Sequence, residues 1–336
     1  MATKISFSRN STATYIGKDG QLKTAAANEP RFEKEGLLVE GKSTNLHTMS
    51  ETTVSDGNGV GIVTATTLDG SPALLFQNTN GVWASVPLGT PTLTIGSVYT
   101  VSVFTDKSIA ECAIDVISGR NSPRVTLTSE IKLGNGLYRR WASFTAISSA
   151  ITCHYYVATV SGGCKVGRIQ VEALPFASSY IPTNGAAVTR AQDICWIPLE
   201  NNGLPGVDNE KTVSLTSDII GISGSFNFIL STPWGAIDYT ATHERVAGRM
   251  PELQMNTPVA LKTSVRKVAR FTKGGGCAAI FGDTQKVGPT ADWSIGTSRI
   301  MIGSMNESGA NPHFGHVKDL KIWLKPLSDS QMRAIA

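Results

Sequence analysis

GSVYTVSVFTD, residues 96–106, alternates along its whole length: Val98, Thr100, Ser102 and Phe104 fall on one side, Tyr99, Val101 and Val103 on the other. Successive side chains of a strand point to opposite faces, so a period of two predicts a strand. The β-branched and aromatic residues suit that pleated surface. Runs of the same kind surround it: GVWASVPL (81–88), ECAIDVIS (111–118), LYRRWASFTA (137–146), ITCHYYVATV (151–160) and CKVGRIQVEAL (164–174). Stretches rich in Gly, Asn, Asp and Ser separate them at 55–59, 119–123, 134–136 and 161–163. Strands at this spacing, with turn chemistry between them, predict an antiparallel sandwich over residues 48–174.

A second series follows, with KTVSLTSDII (211–220), GSFNFILS (224–231), KVARFTK (267–273), CAAIFGD (277–283) and SRIMIGS (298–304). KVARFTK and CAAIFGD flank Gly274-Gly275-Gly276 and read as a hairpin. KDLKIWLKPL (318–327) reads as a last strand, and residues 327–332 as a short helix whose first amides Ser328 or Asp329 can cap. Between the two series, residues 175–193 hold two prolines and no periodicity, which predicts a linker lying along a surface. The fold class is therefore all-β: two antiparallel β-sandwiches in tandem, behind an extended N-terminal segment (1–47) with no hydrophobic face of its own. The second sandwich covers 194–336.

Composition agrees with this organisation. The 336 residues exceed what one core holds, so two domains are expected. Hydrophobic residues make up 41%, charged residues 17%, and the 33 glycines imply many turns. A net charge of +4 is too mild for a nucleic-acid binder of this size. The five cysteines show no CxxC and no Cys/His metal spacing, and they sit in or beside apolar runs, so they read as buried free thiols of a chain folded in reducing cytosol. The first residues do not resemble a signal peptide, and no apolar run nears the roughly twenty residues of a membrane span.

No catalytic motif emerges. There is no GxSxG elbow, and the glycines at 274–276 precede a strand rather than the helix a phosphate cradle needs. His243, His313 and His316 lack HExxH spacing and read as surface histidines, so neither metal nor cofactor is expected. Ser55-Asp56-Gly57-Asn58-Gly59 reads as a turn rather than a Ca²⁺ loop. Lys262, Arg266, Lys267, Arg270 and Lys273 read as a charged, solvated strand edge. The chain is expected not to be an enzyme. Sugars stack on aromatic rings, which makes Trp83, Trp141 and Tyr155 the glycan-binding candidates. Trp323, alternating with Leu320, Ile322 and Leu324, reads as core or interface.

Three ordered landmarks resemble a family of bacteriophage virion appendage proteins, the phage head spike fibre and tail fibre-like proteins. The first is FSRNSTATYIGKDGQLKTAAANEPRFEKEGLLVEGKSTNL (7–46), where Phe7 to Tyr15, Thr24 to Ala26, Pro30 to Phe32, Gly36 to Glu40 and Thr44 to Leu46 carry the likeness. The second, VEALPFASSYIPTNGAAVTRAQD (171–193), resembles the family's join between a carbohydrate-binding-module-like jelly roll and a second domain. The third, GHVKDLKIWLKPLSDSQMRAIA (315–336), resembles the end of laminin-G and concanavalin-like domains. The resemblance implies a structural virion appendage: a head fibre, decoration or short tail fibre built from a jelly roll and a lectin-like sandwich. It implies a location on the virion surface after synthesis in the bacterial cytoplasm, other capsid, collar or tail proteins as partners, and a homo-oligomer, with a trimer favoured. Host-surface polysaccharide is the expected ligand, with no nucleic acid and no membrane insertion. A purely structural clamp and, further off, a glycan depolymerase are the alternatives. Phe7, Arg9, Tyr15 and Ile16 are the expected partner-docking residues, since a segment without a core must bury its apolar side chains elsewhere.

Overall fold

The computed structural model describes residues 5–51, 62–77, 84–118, 124–149, 152–157, 162–199, 204, 210–247, 253–255, 258–272, 276–288 and 298–336. Two compact units form, and both are discontinuous in sequence. One comprises Met1–Thr12, Ala25–Lys42 and Ala191–Ala336; the other comprises Ala13–Thr24 and Ser43–Arg190. Almost every described element is a strand, and the fold is all-β, built of antiparallel sheets.

In the 43–190 unit, one sheet runs in the order Ser129–Lys132, Tyr138–Thr145, Val98–Thr105, Cys164–Glu172, Ser71–Gln77, Ile62–Leu68. A second runs Val125–Thr126, Ile114–Ser118, Thr152–Val157, Ala84–Gly89. Val98–Thr105 is central, paired in unbroken register with Tyr138–Thr145 and, through a bulge, with Cys164–Glu172. Its Tyr99, Val101 and Val103 enter the main core with Phe76, Ile114 and Val166. The other face is also covered: Phe104 is buried with Leu68, Leu133 and Tyr180, against Ile16 and Leu22. That cover comes from a small hairpin, Ala13–Ile16 with Leu22–Ala25. Its turn carries Gly20 at φ +78°, where an added Cβ would lie 2.2 Å from the Cα of Gly134. Only glycine fits, because the backbones of two turns touch there.

A network of buried polar side chains lines part of the interior of this unit. Asn45 donates through Nδ2 to the carbonyls of Ile169 (3.1 Å) and Ile181 (2.8 Å), and its Oδ1 accepts from the amides of Val171 and His47. The buried Glu172 carboxylate accepts from Ser43 Oγ, Ser178 Oγ, the Ser178 amide and Gln170 Nε2. Buried polar groups left without partners would be costly, so these residues fix one path for the chain. Residues 175–193 are thus not a surface linker: Phe176, Tyr180 and Ile181 are buried, and Val188–Arg190 pairs with Ser43–Asn45.

The 191–336 unit is a sandwich of two seven-stranded sheets. The first runs Ser6–Ser8, Ile194–Ile197, Ile300–Ile302, Asn227–Thr232, Gly235–Tyr239, Glu244–Ala247, Leu253–Gln254. The second runs Thr284–Val287, Gly276–Phe281, Val265–Thr272, Lys211–Ser217, Gly315–Trp323, Leu37–Val39, Arg31–Phe32. Leu37 and Val39 join Val213, Trp234, Phe271 and Val317 in the core. The opening segment therefore supplies strands to both sheets of this unit and the covering hairpin of the other, instead of standing ahead of both.

Two local readings change here. Val265–Thr272 lies inside its sheet, not at an edge: Lys267 is buried against Glu244 (3.3 Å), while Arg270 bonds the Leu327 carbonyl and Asp329. Arg266, Lys267 and Arg270 are thus on a central strand, while Lys262 is exposed in the turn before it and Lys273 lies outside the described residues. The helix Asp329–Arg333 carries a full capping box, with Ser328 accepting from the Gln331 amide. Its Met332 packs with Leu327 on Val268, Ala278 and Ile280. All five cysteines are free and buried, and burial lifts the thiols of Cys153, Cys195 and Cys277 to about 12.

Candidate functional site

Of the expected glycan-binding aromatics, only Trp141 has a described side chain. Trp83 lies outside the described residues. Only the backbone of Tyr155 is described, in Thr152–Val157 opposite Val116 and Val86. Trp141 is half-buried on Tyr138–Thr145, a strand of the other sheet of that unit, opposite Ser102 and Ser129. The docking set is divided as well. Phe7 packs on the core of the 191–336 unit, Ile16 packs in the small cluster of the 43–190 unit, and Tyr15 is half-buried.

Arg9 is the clearest correction, because it is only 1% exposed and its partners belong to its own chain. It donates from Nη1 to Asp193 Oδ1 (3.0 Å), from Nη2 to the Ala26 carbonyl (2.7 Å) and from Nε to the Ser11 carbonyl (3.0 Å). Arg31 completes the cluster through Nη1 to Glu40 Oε2 (2.8 Å) and Nη2 to Asp193 Oδ2 (2.5 Å). Burial works against the Arg31 charge, but Glu40 and Asp193 outweigh it and raise its pKa. Two cations and two anions cancel in a site without water access. The landmark residues Arg9, Arg31, Glu40 and Asp193 thus form one structural clamp.

A second cluster of ionisable groups was not visible in sequence. His316, on Gly315–Trp323, is 5% exposed and not a surface histidine. Its Nδ1 lies 3.0 Å from both oxygens of Asp218, its Nε2 lies 3.0 Å from Glu33 Oε2, and its amide donates to Asp218 Oδ1 at 2.7 Å. Burial opposes a charged ring, yet the bonds to Asp218 and Glu33 prevail and raise its pKa to about 10. Burial likewise pushes Asp218 upward, but His316 holds it below the ordinary carboxylate range. Glu35 stands beside them, and one ligand atom from each of Glu33, Glu35 and His316 lies within 4.8 Å of the others. His313 is also buried; desolvation depresses its pKa to about 3, and its Nδ1 lies 3.1 Å from the Tyr239 hydroxyl. Nearly three hundred residues separate Glu33 from His316, so no spacing rule could join them.

The 191–336 unit also presents an aromatic ring at its surface. Phe226 is 40% exposed, and the Arg245 guanidinium lies 4.4 Å from its ring centroid. Arg245 is locked by Asp238 in a two-pronged pair, Nε to Oδ1 at 2.6 Å and Nη2 to Oδ2 at 2.9 Å. Register puts both on neighbouring strands, since Asp238 faces Arg245 directly. A planar cation fixed on both sides holds the ring at the surface with little rotamer freedom. Neither Phe226 nor Arg245 stood out in the sequence, because a Phe beside a turn has no alternation to mark it.

No protein-family model matches the chain, and no curated protein matches it. Solved structures similar to it include domain 4 of AbnA, a GH43 extracellular arabinanase from Geobacillus stearothermophilus, at 15% identity and TM-score 0.30 over 48% of this chain and 81% of that one. A proposed carbohydrate-binding protein from Bacteroides ovatus is similar at 9% identity and TM-score 0.33, covering 86% and 83%. The tandem CBM22-1–CBM22-2 domain of Paenibacillus barcinonensis Xyn10C is similar at 11% identity and TM-score 0.26, covering 85% and 99%. At these identities and scores the likenesses transfer no site and no activity.

Proposed function

We propose that this chain is a non-catalytic, glycan-adhesive structural protein of a bacteriophage virion appendage. The observation that carries the adhesive part is Phe226, a surface ring immobilised by Arg245 and Asp238 on a lectin-like sandwich. Such a ring offers the apolar face of a sugar a stacking platform at little entropic cost. Weak single sites suffice where a particle displays many copies. The virion part rests on the sequence landmarks, whose residues Arg9, Arg31, Glu40 and Asp193 meet in one cluster, as parts of a single architectural device would. The non-catalytic part draws on the Asp218–His316 pair. It resembles a charge-relay arrangement, but the second ring nitrogen meets the carboxylate of Glu33 where a nucleophile would have to stand.

The test is a glycan array and whole-cell binding with the purified chain and with Phe226→Ala, alongside the native mass and proteomics of particles from a phage encoding it. Binding lost in Phe226→Ala with an unchanged melting temperature supports adhesion through this face. A folded chain that binds no glycan but copurifies with particles leaves the purely structural clamp. Absence from particles removes the virion role.

A further inference from the structure

We propose that Glu33, Glu35 and His316 form a three-ligand site for a first-row divalent cation, best suited to Zn²⁺, with Asp218 as the residue that orients the imidazole. The inference is independent of the adhesive role. The three ligand atoms lie within 4.8 Å of one another, and His316 Nε2 and Glu33 Oε2 are 3.0 Å apart. Two ligands bound to one Zn²⁺ at about 2.0–2.2 Å each must sit roughly 3–3.4 Å from one another, so this pair, joined in the metal-free chain through the Nε2 proton, already has the separation needed once a metal replaces that proton and releases it.

The surroundings are those of a built site and not of a chance acidic cluster. Asp218 occupies Nδ1 with both oxygens and takes the His316 amide as well, which fixes the ring and aims Nε2 at Glu33, with a Glu35 oxygen within 4.8 Å. A carboxylate behind a ligating histidine is the usual device for setting tautomer and orientation. The glutamates sit on the turn between Arg31–Phe32 and Leu37–Val39, closed by the Glu33 amide donating to the Gly36 carbonyl at 2.9 Å. Gly36 has φ +141°, and a Cβ there would lie 2.7 Å from the Val317 carbonyl. The turn is therefore pressed against the strand that carries His316, and only glycine permits that approach. Glu35 is exposed, which provides an entry path and leaves coordination positions for water. One nitrogen and two carboxylates suit Zn²⁺ better than Ca²⁺, which collects six to eight oxygens.

Full-length chain stripped with EDTA is titrated calorimetrically with ZnCl₂, MnCl₂ and CaCl₂. The expected result is one Zn²⁺ per chain, with Ca²⁺ binding at least tenfold weaker. Glu35→Gln, at an exposed position, keeps the metal-free melting temperature and loses at least tenfold in Zn²⁺ affinity. Asp218→Asn, acting through the ring, loses about 10–100-fold. Because Asp218→Asn can also weaken the fold, the exposed Glu35→Gln variant decides the matter. No stoichiometric Zn²⁺ binding by the folded wild type, or affinity unchanged in Glu35→Gln, overturns the site.

Discussion

Replacing Asp193 by Asn should destabilise the 191–336 unit by about 3–5 kcal/mol, the range for breaking a buried ion pair from one side. Asp193 receives Arg9 Nη1 at 3.0 Å, Arg31 Nη2 at 2.5 Å and the Glu40 amide at 2.9 Å, and its side chain is 0% exposed. The amide keeps the shape but removes a charge, so two guanidinium groups face the single carboxylate of Glu40. One of the two new amide hydrogens must also point toward a donor. For a body of this size each kcal/mol lowers the melting temperature by about 2–4 °C, so the expected fall is about 6–20 °C. Near-UV circular dichroism during heating reads it. Adding Arg9→Met to Asp193→Asn restores the charge balance and should recover part of the loss, a coupling of about 0.5–3 kcal/mol. A loss under about 0.5 kcal/mol, as at an ordinary surface position, would refute the reading of this cluster as a buried clamp.

Other expectations follow from the same geometry. Gly20→Ala puts a side chain at φ +78° against the Gly134 backbone and should cost about 1–3 kcal/mol, read from the urea midpoint. Stability of chelator-treated protein should peak near pH 6.5. His316, raised to about 10, stabilises fully below its unfolded value and loses that contribution as pH climbs from 6.5 through 10; His313, depressed to about 3, stabilises above 6.5 and loses it as pH falls toward 3. Each flank should slope by at most about 1.4 kcal/mol per pH unit, and a flat profile between pH 7 and 9 would count against the Asp218–His316–Glu33 arrangement. Deleting residues 1–47 should yield aggregated or protease-sensitive chain in limited proteolysis, because it removes Leu37 and Val39 from one core and the cover of Phe104 from the other. A soluble, cooperatively melting truncation would instead favour the docking role first expected of that segment.

Much of the architecture was legible from alternation. Tyr99, Val101 and Val103 do face the main core, and the capping signal at Ser328 marks the only helix among the described residues. Alternation says which side chains share a face, but not whether the opposite face is covered. Hence the face of Phe104, opposite Tyr99, Val101 and Val103, is also buried, and the cations of Val265–Thr272 looked like an edge and are central. The short pieces Ser6–Ser8, Arg31–Phe32 and Leu37–Val39 carry too few residues for periodicity to speak. Their hydrogen-bond partners lie up to about 280 residues away. The His316 cluster was hidden for the same reason, since the chemistry of a site depends on contacts that a local pattern does not encode.

The discontinuous division of the chain also sets an order of events during synthesis. Leu37–Val39 pairs on one side with Arg31–Phe32 and on the other with Gly315–Trp323, so its second edge stays open until the ribosome has added about 280 further residues. At about 5–20 residues per second that interval is roughly 15–55 s. For all of it, Leu37, Leu38 and Val39 are apolar residues on a strand with one edge unfilled. The 43–190 unit receives its last residue long before the other can close. The charged run Glu33-Lys34-Glu35 beside that strand then has a task in time rather than in space: keeping three apolar residues soluble until their second partner is made.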